Sequence, residues 1–279
     1  MYGHRPVPFI DFGSTSLVPF ESDSLGSEAL KGLYDEMASS IEGLRIEMVT
    51  NGRSSWMEEK LPAAASGLGV LNPVIRFIDS LSREERIEAI AYELVHILLF
   101  YRFGLGMFGR RTPHSMDSDE VSRYFSNMHK NWGYLLGQTG NTTHHLILID
   151  YLKEKYDIES NLHLRLLQHN FRVVANGNSM DKESWYPKGL VAFEYEKLIG
   201  KVDRETNFNH QSEFFGKAYS SAQKHFGGYH FHAIPSPSTY EENVFSFLED
   251  LGYSRGNFMF FPKAIKPNRE KVDLSGEGL

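Results

Sequence analysis

Glu93 and His96, three residues apart and preceded by Tyr92, are the residues whose types and spacing most directly suggest chemistry. On a helix, at 100° per residue, Tyr92, Glu93 and His96 fall on one face. That places a carboxylate able to accept a proton beside an imidazole able to bind a metal ion. Two other groups of histidines stand out: the adjacent His144-His145, and His225, His230 and His232 around Gly227-Gly228. In an extended segment, His230 and His232 would share one face of a strand. The chain carries 12 histidines and no cysteine. Disulfides, thiolate nucleophiles and iron–sulfur clusters are therefore excluded, and any metal must be held by His, Asp, Glu or Tyr.

The element that must position Glu93 and His96 is the most strongly signalled in the chain. Ser82-Arg83-Glu84-Glu85 is a capping box, in which hydroxyl and carboxylate each satisfy a free amide at a helix start. Ile87, Ile90, Ala91, Leu94 and Leu98 follow at spacings of three and four, giving a continuous apolar face opposite Tyr92, Glu93 and His96. Ile97, Leu99 and Phe100 flank the polar residues, so the helix is expected to be buried on nearly all sides around a small polar island, with Gly104 placed to end it. Upstream, residues 1–28 read as an extended or wrapping arm, 27–41 as a helix, and 44–49 as a half-buried strand running to the Asn51-Gly52 turn. Residues 70–78 are apolar but broken by Asn72-Pro73, which suggests an edge strand or a helix start. Downstream, 104–113 reads as a glycine-rich loop, Asp117 to Glu120 as the acidic start of a helix reaching about Tyr134, and Asn141-Thr142-Thr143 as the cap of a further helix carrying His144 and His145. Helices are predicted at 162–169, 186–199, 212–222 and 240–251, with an alternating segment at 229–233 and a polar tail from Pro262.

The segment around Tyr92-Glu93-Leu94-Val95-His96 resembles the active-site helix of the zincin metallopeptidases, whose motif is HExxH. In that family two histidines one turn apart bind zinc while the glutamate polarises the attacking water. The resemblance implies His96 as a ligand, Glu93 as general base and zinc as cofactor, with a peptide or protein as substrate. Tyr92 stands where the first zinc-binding histidine belongs. A phenol of pKa near 10 must lose a proton before it binds metal, whereas neutral imidazole binds zinc readily at pH 7, so metal affinity should fall. The resemblance places a third ligand downstream on another helix; His144 and His145 are the first candidates, and Glu120, 24 residues beyond His96, is the rival. The fold implied is α+β, a small N-terminal β-sheet packed on a mainly helical zincin-like core. It divides into an arm (1–28), a core with the active-site helix (29–160) and a mainly helical C-terminal region completing a cleft (161–279).

The functional readings are a zinc metallopeptidase, a metal-impaired form of one, or a non-catalytic pseudo-protease that holds a peptide or protein. Plainer alternatives remain open. Glu93 and His96 can satisfy each other on an ordinary helix, and the His225, His230 and His232 group can line a turn. A carboxylate di-iron bundle would need a second Glu-x-x-His, which the chain lacks. A net charge of -7 with interspersed signs argues against nucleic acid as a partner. No apolar run approaches the roughly 20 residues that span a bilayer, and the first 20 residues lack the features of a secretion signal. A cytoplasmic, non-membrane location is the expectation.

Overall fold

The computed structural model describes residues 16–20, 25–41, 43–50, 63–66, 73–110, 131–176, 184–200 and 213–261. It is mainly helical with a small sheet, as an α+β reading requires. In chain order come β1 (Ser16–Pro19), α1 (Glu28–Ala38), β2 (Arg45–Thr50), β3 (Ala63–Ser66), β4 (Val74–Ile78) and α2 (Arg83–Tyr101). They are followed by β5 (Met107–Arg110), α3 (Asn131–Tyr156), α4 (Asn161–Asn176), α5 (Trp185–Leu198), α6 (Glu213–Phe226), α7 (Pro237–Asp250) and β6 (Phe258–Phe261).

The four N-terminal strands form one sheet in the order β1-β2-β4-β3, with β2 and β4 parallel and β1 and β3 antiparallel to their neighbours. Of residues 70–78, expected as an edge strand or helix start, 74–78 supply an inner strand. Pro73 immediately precedes β4, where its missing N–H costs no ladder bond, and its carbonyl accepts the Arg45 amide at 3.1 Å. Ile46, Ile75 and Phe77 are buried beneath α1 and α2, while Glu47 bridges Arg45 and Arg76, each at 2.9 Å.

The Ser82 box forms as predicted. The Glu85 amide donates to the Ser82 hydroxyl, and the Ser82 amide to the Glu85 carboxylate, both at 3.2 Å. Helix α2 is then buried through Ile90, Ala91, Leu94, Val95 and the run from Ile97 to Phe100. Gly104 takes a left-handed φ of 68°, and the Leu105 amide turns back to the Leu99 carbonyl at 3.0 Å, which ends the helix near the predicted place.

Three further expectations differ from the structure. Asn141-Thr142-Thr143 caps nothing: α3 runs without a break from Asn131 to Tyr156 and holds His144 and His145 in its interior. The threonine hydroxyls bond inside the bundle instead. Thr139 donates to the Leu135 carbonyl at 2.7 Å and Thr143 to the Thr139 carbonyl at 2.9 Å, one turn back, so the hydroxyls do not compete with helix continuation. The loop expected over 104–113 contains β5, which pairs antiparallel with β6, Phe108 opposite Phe260. Residues 229–233 are not an extended strand but end in a 3-10 turn at Phe231–Ala233. His232 there is exposed and paired with Glu154 at 2.7 Å, its ring 6.2 Å from that of His230, while His225 bonds Asp250 at 2.8 Å; among the described residues the three do not bring their ligand atoms together. The helix expected from Asp117, Glu120 within it, and the tail from Pro262 lie outside the described residues.

One apolar core runs from Leu25 and Leu30 through Phe77, Leu94, Leu148 and Leu190 to Phe247 and Phe258. A smaller cluster of Leu167, Phe171, Val191, Ala192 and Phe215 joins α4, α5 and α6. Gly189 permits this packing: a Cβ there would lie 2.6 Å from the Phe215 carbonyl oxygen, too close for any side chain. The approach of α6 thereby sets the position of α5. Among the described residues, no helix is long and apolar enough to cross a membrane.

Candidate metal centre

Four helices place polar side chains at one buried point. From α2 come Glu88, Tyr92 and His96, each one turn beyond the last, so that they stack along one stripe. Helix α3 adds His144 and His145, α4 adds His163, and α5 adds Glu194.

Glu194 is the hub. It is 1% exposed in a helix whose neighbouring residues Leu190, Val191, Ala192 and Phe193 are all buried and apolar. His145 Nδ1 donates to its Oε1 at 2.5 Å, and His163 Nε2 lies 3.6 Å from the same oxygen. The other oxygen, Oε2, accepts from the Thr142 hydroxyl at 2.7 Å and from Gln138 Nε2 at 3.2 Å. Burial by itself would raise this carboxyl. The attraction and hydrogen bonds of His145 and His163 outweigh it and hold the group well below the usual carboxylate range.

His163 is set by Glu88. The amide of His163 donates to Glu88 Oε1 at 2.8 Å, and that of Leu162 also bonds the carboxylate. A side chain of α2 thus caps the start of α4 from outside, supplying the acceptor that the first-turn amides lack. Burial raises Glu88, and the two amides oppose the shift. Tyr92 stacks on His163, ring centroids 4.5 Å apart, with its hydroxyl 3.4 Å from His163 Nε2. Burial, followed by the charges of Glu194, Glu93 and Glu88, raises the phenol well above its ordinary value, so Tyr92 is a neutral proton donor.

His96 and His144 form a second pair. Their Nδ1 atoms are 3.0 Å apart, and His144 Nε2 lies 3.1 Å from the Leu105 carbonyl oxygen. The His96 ring also sits 4.9 Å from Tyr92 and 5.2 Å from His145. Burial lowers both, taking His144 to about 4.

No family model, curated protein or solved structure matches this chain.

One ligand atom each from His145, His163 and Glu194 lie within 4.8 Å of one another. Two imidazoles and a carboxylate are an ordinary zinc set, and tetrahedral donors at about 2.0–2.1 Å from the ion stand roughly 3.4 Å apart. The 3.6 Å between His163 Nε2 and Glu194 Oε1 is already close to that. The His145 contact would open by under about 1 Å, and the hold of Thr142 and Gln138 on Oε2 leaves Oε1 aimed at both histidines.

Of the sequence candidates, Tyr92, His96, His144 and His145 do meet here. Neither of the adjacent histidines turns to solvent: both are buried, one toward His96 and the other toward Glu194. Glu93 is half-buried on the same helix. His163 and Glu194 were not foreseen. The available signal for Glu194 was an acid set in an apolar helical run, since a glutamate is almost never fully buried unless paired.

These neutral buried imidazoles make stability depend on acid. His144 faces His96, His145 and the Leu105 carbonyl, with no carboxylate among its hydrogen-bond partners. Above its ordinary 6.5, neither the folded nor the unfolded state protonates it. Between 6.5 and about 4 only the unfolded chain takes the proton, so stability falls as pH falls. From His144 alone the loss is about 2 kcal/mol between pH 6.5 and 5, and His96 adds to it in the same direction. Urea unfolding at the two pH values, with chelator present, measures this; equal midpoints would contradict neutral burial of the pair.

Proposed function

We propose that this protein is a zinc-dependent hydrolase of the zincin kind, acting on peptide bonds. Its ion would be held by His145, His163 and Glu194 rather than by the two positions, 92 and 96, that the motif uses. The observation that carries this reading is the convergence of three ligand-type side chains from three helices against the face of α2 that bears Tyr92 and His96.

Zinc at those residues would supply Lewis-acid polarisation of a carbonyl and a water of lowered pKa. The chain supplies the rest. Thr142 and Gln138 orient Glu194, and Glu88 holds the first turn of α4, and with it His163, in place. Glu93 is the proton acceptor for the attacking water, the role the motif implies for it. Tyr92, kept neutral by burial and neighbouring carboxylates, is suited to donate a hydrogen bond to a developing oxyanion. In this reading the tyrosine at position 92 is a donor rather than a lost ligand.

A second reading is a non-catalytic relative that binds a peptide or protein, with any ion serving only the fold. The depth of the cluster favours it, since Glu194 is 1% and His145 7% exposed. Elemental analysis of protein purified without chelator tests the first reading, which expects about one zinc per chain. A quenched fluorescent peptide library, assayed with and without chelator, then separates the two. Chelator-sensitive cleavage supports the hydrolase, bound zinc without cleavage supports the binding protein, and no zinc even after zinc addition removes the metal from both.

A further inference from the structure

We propose that His144 is a positioning residue, the middle member of a relay from the Leu105 carbonyl that holds His96 in the tautomer with an unprotonated Nε2. A carbonyl oxygen only accepts, so His144 Nε2, 3.1 Å from the Leu105 oxygen, carries a hydrogen. The two Nδ1 atoms are 3.0 Å apart, and such a contact holds one proton. Placing it on His144 would make that ring an imidazolium, 8% exposed and with no carboxylate among its hydrogen-bond partners. A buried, uncompensated charge of this kind is costly. The proton therefore belongs to His96 Nδ1, and a neutral His96 then has a bare Nε2.

The His96 ring also has those of Tyr92 and His145 beside it, at 4.9 and 5.2 Å. His96 Nε2 carries a lone pair rather than an N–H, and no hydrogen-bond partner of it is found among the described residues. The tautomer stands on the hydrogen bonds alone. Its use, as a proton-accepting or ligand nitrogen beside the centre, rests on the hydrolase reading. The pair also explains why α3 carries two adjacent histidines: His145 serves Glu194 while His144 serves His96.

Long-range proton–nitrogen NMR of the full chain labelled with 15N-histidine reads the tautomers directly. In the unaltered protein, His96 is expected to be protonated at Nδ1 and bare at Nε2, and His144 the reverse. His144→Gln supplies an amide oxygen that accepts from His96 Nδ1 and is expected to retain the His96 signature. His144→Phe supplies no acceptor, and the bare-Nε2 signal should give way to a mixture. A wild-type His96 protonated at Nε2, or a His144→Phe spectrum unchanged at His96, overturns the relay. If circular dichroism shows that a variant does not fold, the wild-type spectrum still decides. Zinc added to the same labelled protein tests the other reading separately: a silent titration at His145 and His163 removes the metal while leaving the relay intact.

Discussion

Glu194→Ala is expected to abolish stoichiometric zinc binding and to lower the stability of the metal-free protein by about 3–5 kcal/mol: burial holds His145 below its ordinary value, so the loss is that of several buried hydrogen bonds at about 1–3 kcal/mol each rather than of an ion pair. Glu194 accepts from Thr142, Gln138 and His145 and lies beside His163, so its removal leaves at least three buried donors without an acceptor. Each unsatisfied donor carries its own desolvation cost, and the lost side-chain volume adds a cavity. Glu194→Gln is the discriminating companion. Its amide oxygen can still take the Thr142 hydroxyl, but its NH2 meets the donors of His145, so a smaller loss of about 1–3 kcal/mol is expected, together with loss of zinc. Chemical denaturation in chelator and elemental analysis give the two readouts. A Glu194→Ala protein within about 1 kcal/mol of wild type and with unchanged zinc would mean that the α5 carboxylate neither ties α3, α4 and α5 together nor binds an ion.

Tyr92→His is expected to raise zinc affinity by roughly a hundredfold or more. The phenol at this position is kept protonated by burial and by Glu194, Glu93 and Glu88, and a protonated phenol is a poor ligand. An imidazole in its place would sit one turn from His96 and beside His163 and His145, whose rings already lie 4.5 and 5.2 Å from that of Tyr92. Tyr92→Phe provides the contrast: because the hydroxyl is assigned as a donor, its loss should leave zinc content unchanged while weakening any peptide cleavage. Competition titration against a chromophoric chelator measures both variants. Unchanged affinity in Tyr92→His would separate position 92 from the ion and remove the zincin relation that the α2 residues suggest; zinc lost in Tyr92→Phe would make the phenol a ligand.

Several features were legible from local pattern. The α2 capping box, its apolar face, its end near Gly104 and the shared face of Tyr92 and His96 all appear as read, because each depends on residues within a turn or two. The helices of the C-terminal half were also foreseen, though α4 runs on to Asn176 where an end at His169 was expected, and the other ends move by a few residues. Failures came where a local signal had a distant competitor. Asn141-Thr142-Thr143 has the composition of a cap, yet Thr142 is claimed by Glu194 and Thr143 approaches the Tyr240 hydroxyl at 3.1 Å, so the helix continues. Strand β5 was read as loop because its partner, β6, lies some 150 residues away.

For this protein the amino-acid sequence by itself determined the chemistry on offer: no thiolate, an abundance of histidine, and a buried helix carrying Tyr92, Glu93 and His96. It also determined the mainly helical α+β class, since hydrophobic periodicity and capping are short-range properties. Only the tertiary structure decided which donors meet. Residues 145, 163 and 194 lie on three helices, and nothing in the period of any one helix records the packing that brings their donor atoms within 4.8 Å. The same packing divides two adjacent histidines between different partners: one residue along a helix is a turn of 100°, which points neighbouring side chains at different helices.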